Sequence, residues 1–346
     1  MKTQILPAGR EAYETARDLL RDGRLVAFPT ETVYGLGANA LNERAVRSIF
    51  EAKGRPADNP LIVHICHREQ LIPLVEMPPL AESLIDAFWP GPLTLLFPRK
   101  SSIPDIVTAG LPTVAVRMPS HPAAKAMLEV CGLPIAAPSA NRSGRPSPTT
   151  AQHVYEDMNG LIPLILDGGA CEVGLESTVL DLCHGDPCIL RPGGITRDML
   201  ENALGKPVQL AGSILRPLQP GETALSPGMR YKHYAPKGSV VLVEGEENKV
   251  IRKLHSLYLE AVQDGKNACV LCFSEHTDFL RDCNPHDLGS VNDDREIAHR
   301  LFDMLRKLDE ENIEIAYSEV MSAEGIGLAV MNRLGRAAAF QTIQAE

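Results

Sequence analysis

The chain has no apolar stretch of bilayer length. Its longest clean apolar runs, such as Leu161 to Leu166, fall far short of the roughly 20 residues a spanning helix needs. The N-terminus, MKTQILPAGREAYE, has no apolar core of signal-peptide size before its charged residues begin, so the expected address is the cytoplasm, with no membrane partner. Positive charge is also scarce: 34 Lys and Arg stand against 44 Asp and Glu, a net charge of −10. Most of that excess lies from Lys237 onward, where twelve Lys and Arg face twenty Asp and Glu. No Lys/Arg-rich stripe is present, which argues against tight, sequence-independent nucleic-acid binding. Cys269 and Cys272 have CxxC spacing, but no second CxxC or HxxxH completes a four-ligand set, so no metal site is expected. The other cysteines, at 66, 131, 171, 183, 188 and 283, are scattered, and several lie in apolar runs that suit reduced core thiols. GxxxxGKS/T and GxSxG are missing, and TVYGLGAN carries GxG without the third glycine. A phosphate site must therefore be built some other way. Cys66 reads as core rather than as a nucleophile.

What is present is an ordinary globular composition, 44% hydrophobic and 23% charged over 346 residues, enough for about two domains. Residues 10–22 carry apolar positions at helical spacing, and RLVAF (24–28) is strand-like. Asn42 can cap a helix over NERAVRSIFEAK that ends at Gly54 and Pro56. LIVHI, LTLLF, TVAVRM, PIAAPS, PLILD, STVLDL and CILR read as strands, with helices near 80–88, 121–130, 149–158 and 196–204. The expected organisation is a mixed α/β domain over 1–204, a Pro/Gly-rich linker over 205–238 and a βαβαβα domain with a small parallel sheet over 239–346. The linker carries Arg230 to Tyr234 in a row, an odd composition for a spacer.

Independent elements end in cations. Lys53 and Arg55 close the helix at KGRPADNP, Arg117 ends TVAVRM, and Arg191 ends CILR. PSANRSGRPSP adds Ser139, Asn141, Ser143 and Ser147 at another strand end. Taken singly, each reads as solvent-exposed charge. Together they sit where α/β folds place ligand contacts, and planar Arg forks with a Lys point charge suit a polyanion. From residues alone this stops at an anion-binding, nucleotide-using enzyme.

PTETVYGLG, EAKGRPADNPLIVHI, WPGPLTLL, VAVRMPSHP, APSANRSGRPSPT, ESTVLDL and ILRPGGI occur in that order and together resemble the YrdC family. The trailing SPGMRYKHYAP and α/β segment resemble its long, two-domain form. The resemblance implies a twisted open sheet with a deep cavity, followed by a Rossmann-like domain. It further implies condensation of L-threonine, bicarbonate and ATP, with Mg²⁺, to threonylcarbamoyl-AMP and pyrophosphate. A downstream transferase complex would pass that group to tRNA. Carried onto this chain, Lys53, Arg55, Asn59, Thr113, Ser139, Asn141, Ser147 and Arg191 would hold ATP. Lys53 and Arg55 would act catalytically on the phosphates, and a linker tyrosine, Tyr231 or Tyr234, would cover the nucleotide. Thr32, His64, Arg117, Ala137 and Ser177 would hold threonine, Arg117 gripping its carboxylate. Beside this stand a carbamoyl-phosphate-using relative and a non-catalytic RNA-binding or ribosome-assembly factor.

Overall fold

The computed structural model describes residues 2–216 and 234–346. The chain divides into two units. One takes Met1–Ser143 and the described part of Ser147–Arg230, the other Gly144–Pro146 and the described part of Tyr231–Glu346.

Among the described residues of the first unit, eleven strands form one sheet. They are β1 (Gln4–Pro7), β2 (Val26–Phe28), β3 (Gly35–Asn39), β4 (Ile62–His64), β5 (Leu93–Pro98), β6 (Thr113–Arg117), β7 (Ile135–Ala137), β8 (Leu164–Asp167), β9 (Thr178–Asp181), β10 (Cys188–Arg191) and β11 (Gln209–Leu210). Their order is β1-β8-β2-β3-β7-β4-β6-β5-β9-β10-β11, with parallel and antiparallel pairs mixed. Helices α1 (Arg10–Arg21), α2 (Glu43–Lys53), α3 (Ala81–Phe88), α4 (Asp105–Thr108), α5 (Pro122–Cys131), α6 (Ala151–Met158) and α7 (Arg197–Leu204) connect them. Helix α1 repeats Ala12, Ala16 and Leu20 at a four-residue interval, so one stripe faces inward and packs with Met127 and Leu128 of α5 and with Val26 and Phe28 of β2. Helix α2 starts where the Asn42 side chain accepts from the Arg44 and Ala45 amides, a cap worth about 1 kcal/mol. It stops at Gly54, whose φ of 63° is left-handed. That stop fixes Lys53 as its last residue.

The GxG of TVYGLGAN is a packing device. Gly35 and Gly37 lie in β3, paired with Phe28 and Val26. A Cβ on Gly37 would lie 2.9 Å from the Phe28 ring and 2.8 Å from Ile135. The two glycines make room for the Phe28 ring, which stands edge-on to His64 at 5.7 Å.

The second unit holds a five-stranded sheet of β12 (Ser239–Gly245), β13 (Ala268–Cys272), β14 (Pro285–Asp287), β15 (Ile315–Glu319) and β16 (Thr342–Ala345) in the order β14-β13-β15-β12-β16. Every pair is parallel. Helices α8 (Glu247–Gln263), α9 (Asp294–Glu310) and α10 (Gly327–Ala337) make the crossovers. Cys269 and Cys272 both lie in β13, three residues apart and so on opposite faces, and burial pushes both thiols up to about 12.

Candidate active site

Strand register builds the site. Ile135 of β7, His64 of β4, Arg117 of β6, Thr94 of β5, Val179 of β9 and Arg191 of β10 are partners in succession across six adjacent strands. Partners in register share a face of the sheet, so His64, Arg117, Thr94 and Arg191 form one transverse row. Three strand spacings separate Arg117 from Arg191, about 14 Å.

At one end Arg117 is gripped from three sides. Nη1 donates to Thr32 Oγ1 at 2.8 Å, Nε donates to the Gly91 carbonyl at 3.3 Å, and Nη2 lies 2.7 Å from Glu31 Oε1. Burial pushes Glu31 up, but Arg117 outweighs it and the carboxyl lies below its ordinary range, hence ionised. His64 is pushed down to about 3 by burial and by Arg117, so it is a neutral imidazole at physiological pH, its Nδ1 3.2 Å from the Ile62 carbonyl oxygen. Ala137, at the end of β7, pairs with Ile62, two residues along the ladder from His64.

At the other end Arg191 donates from Nε to the Ser177 carbonyl at 3.0 Å and from Nη2 to Ser177 Oγ at 3.1 Å. That hydroxyl meets Thr94 Oγ1 at 2.7 Å, so Ser177 links Arg191 to the middle of the row. Next to it in sequence, Glu176 accepts from Ser147 Oγ at 2.6 Å. Buried Thr113 opens β6, at the opposite end of that strand from Arg117.

A third group forms at the end of α2. Lys53 Nζ donates to the Ser139 and Asn141 carbonyls, and the Ser143 amide donates to the Lys53 carbonyl at 3.0 Å. The end of α2 is thereby fixed to the SANRS segment. Arg55 reaches the Asn59 and Pro60 carbonyls at 3.2 and 3.4 Å and lies over the Phe50 ring. Asn59 is fully buried, yet neither atom of its side-chain amide has a hydrogen-bond partner among the described residues. Leaving a buried amide unmet costs about 1–3 kcal/mol, so Asn59 has unused donor and acceptor capacity at this point.

Of the two linker tyrosines, Tyr231 lies outside the described residues. Tyr234 is buried in the second unit, its ring 5.1 Å from that of Phe302. Sequence reasoning passed over Glu31, Thr94 and Glu176. Glu31 and Glu176 sit inside the quoted PTETVYGLG and ESTVLDL runs, and their place in those motifs was the available signal.

The fold is that of an α/β protein with buried cations closing two of its strands, at Arg117 and Arg191, and with Lys53 closing α2. A family model described as Sua5/YciO/YrdC, telomere recombination, matches residues 18–193, and one described as the threonylcarbamoyl-AMP synthase C-terminal domain matches 195–339. A Pyrococcus abyssi threonylcarbamoyl-AMP synthase is 47% identical over 95% of this chain and 94% of its own. The Bacillus subtilis protein of the same name is 45% identical over 95% and 93%. The crystal structure of Pyrococcus abyssi Sua5 complexed with L-threonine superposes with a TM-score of 0.93 at 45% identity, covering 99% of this chain and all of that one. The chain belongs to the Sua5/YciO/YrdC family, in its long, two-domain form.

Proposed function

We infer that this chain is a threonylcarbamoyl-AMP synthase, converting L-threonine, bicarbonate and ATP to threonylcarbamoyl-AMP, pyrophosphate and water. The observation that carries this reading is that a charge-balanced group and further cationic groups are chemically different and stand on one fold. A charge-balanced pocket of Arg117, Glu31, Thr32 and neutral His64 suits an amino acid. The cationic groups at Lys53, Arg55 and Arg191, with the unmet amide of Asn59, suit a nucleoside triphosphate. Thr113, Ser139, Asn141 and Ser147 complete the nucleotide contacts, and Ala137 and Ser177 those of threonine. Ser177, tied to Arg191 on one side and to Thr94 on the other, places the two substrates end to end.

The threonine amine takes up the carbon of bicarbonate as a carbamate, whose oxygen then attacks the α-phosphorus as pyrophosphate leaves. Negative charge accumulates on phosphoryl oxygens, and fixed cations aimed there supply the main stabilisation. Lys53 and Arg55 fill that role. ATP enters as its magnesium complex, and the hard oxygens of Ser147 and Glu176 fit an ion that keeps most of its ligands on phosphate and water. Held there, it would supply charge neutralisation at the leaving pyrophosphate. Carbamates decompose in water, so a tyrosine of the 205–238 segment covering the nucleotide would protect the intermediate.

No helix among the described residues is long and apolar enough to cross a membrane. We place the enzyme in the cytoplasm, supplying a transferase complex that acts on tRNA. Mass spectrometry with ¹³C-bicarbonate tests the assignment. A threonylcarbamoyl-AMP ion heavier by one ¹³C supports it, and ATP consumption with no labelled adenylate refutes it.

A further inference from the structure

The Arg117–Glu31 pair is buried, each side chain 4% exposed, with 2.7 Å between Nη2 and Oε1. The backbone around Glu31 is firmly set. Thr30 Oγ1 accepts from the Thr32 and Val33 amides at 3.2 Å and donates to the Val33 carbonyl at 2.6 Å, while the Glu31 carbonyl accepts from Val173 at 2.7 Å. A buried ion pair is weak evidence for stability, because desolvating both charges offsets their attraction. A ligand carrying only a carboxylate would be better served by Arg117 without an anion beside it.

The two groups meet at ion-pair distance, and the Ser120 backbone also draws on the carboxylate. Neither Glu31 oxygen nor Arg117 Nη2 has a well-directed hydrogen-bond partner among the described residues. Both sides of the pair therefore keep bonding capacity for something else. His64, His121 and Cys171 also feel Glu31. Burial disfavours the charged form of each, leaving them neutral near pH 7. Arg117 and Glu31 put one positive group beside one negative at this end of the row.

That arrangement is the complement of an α-amino acid, which carries a carboxylate and an ammonium on one carbon. We propose that Glu31 receives the α-ammonium of the substrate while Arg117 receives its carboxylate, so that Glu31 makes the pocket select an amino acid over the corresponding hydroxy acid. This rests on the proposed function and adds to it a specificity-determining residue. Glu31 holds the charged substrate in place and is not its base, since its carboxyl already lies on the acidic side.

The test is calorimetric binding of L-threonine and of 2,3-dihydroxybutyrate of matching configuration, which keeps the carboxylate and β-hydroxyl and replaces the amine by a hydroxyl. Wild type should prefer threonine. Glu31→Gln should weaken threonine by at least about tenfold and shift the dihydroxy acid by less than about threefold, collapsing the preference. Glu31→Asp, which keeps the charge on a shorter arm, should fall between the two. Retained affinity for a nonhydrolysable ATP analogue shows that each variant is folded, and the aspartate variant decides the matter if the glutamine one is not. Equal weakening of both acids would mean that Glu31 merely orients Arg117, and unchanged affinities would mean that it does neither; each overturns the proposal. Wild type failing to bind threonine at all would instead overturn the functional reading on which it rests.

Discussion

Replacing Arg117 by lysine keeps one positive charge at the end of β6 and removes the planar fork. Arg117 reaches Thr32, Gly91 and Glu31 from three different nitrogens. A single ammonium at the end of a flexible stem cannot hold all three and still present two parallel N–H groups to a carboxylate. Losing one charge-assisted hydrogen bond in a site this buried costs about 1.5–3 kcal/mol. At 1.4 kcal/mol per decade that is a roughly 10- to 150-fold weaker hold on threonine. Arg191 lies three strands away and Thr113 at the far end of β6, so the nucleotide contacts should be untouched. Steady-state kinetics with threonine varied at saturating ATP should show the apparent threonine KM raised by that factor, with affinity for a nonhydrolysable ATP analogue changed less than about twofold. Loss of ATP-analogue binding with threonine binding intact would mean that the two subsites have been exchanged, and the assignment of the row would fall.

Lys53→Ala and Arg55→Ala should each lower threonylcarbamoyl-AMP formation by at least about a hundredfold, since one lost transition-state charge contact is worth roughly 3 kcal/mol. Circular dichroism should stay native, and wild-type turnover in either variant would exclude the phosphate role. His64 is held down to about 3, so between that value and its unfolded value near 6.5 the unfolded chain binds the extra proton and stability falls as pH drops. His64→Gln should therefore make the unfolding free energy less steep over that window, by up to about 1.4 kcal/mol per pH unit. Chemical denaturation at several pH values measures it, and parallel profiles would contradict a buried neutral histidine. A chain ended near residue 205 should lose product yield more than it loses ATP-analogue affinity if the following segment excludes water. Full activity of that truncation would reduce the segment to a spacer.

Much of this architecture was legible because local signals agreed with the fold. The Asn42 cap and Gly54 stop bracket α2 as the sequence suggests, and the strands of CILR and TVAVRM end on Arg191 and Arg117 as read. The parallel character of the second sheet likewise follows from the alternation of β12, β13, β15 and β16 with long helices. Strand β3 was hidden because its glycines, a turn signal in isolation, owe their place to the Phe28 ring packed across them. The short strands β1, β11, β14 and β16 sit at or near sheet edges, where little apolar pattern is needed. The cations of the site were visible as chain-end punctuation, but their grouping was not. That Arg117, Thr94 and Arg191 share one row depends on the register of four strands far apart in sequence. Glu31 shows the same limit, because a lone acid in a motif acquires meaning only when its partner across the fold is known.

The most direct test of the central claim is pyrophosphate release by the intact chain with L-threonine, bicarbonate and ATP, each omitted in turn. Release that needs all three, with one threonylcarbamoyl-AMP formed per pyrophosphate, is the predicted result. Pyrophosphate released at the same rate without threonine or without bicarbonate, or no release from the complete mixture, would contradict it.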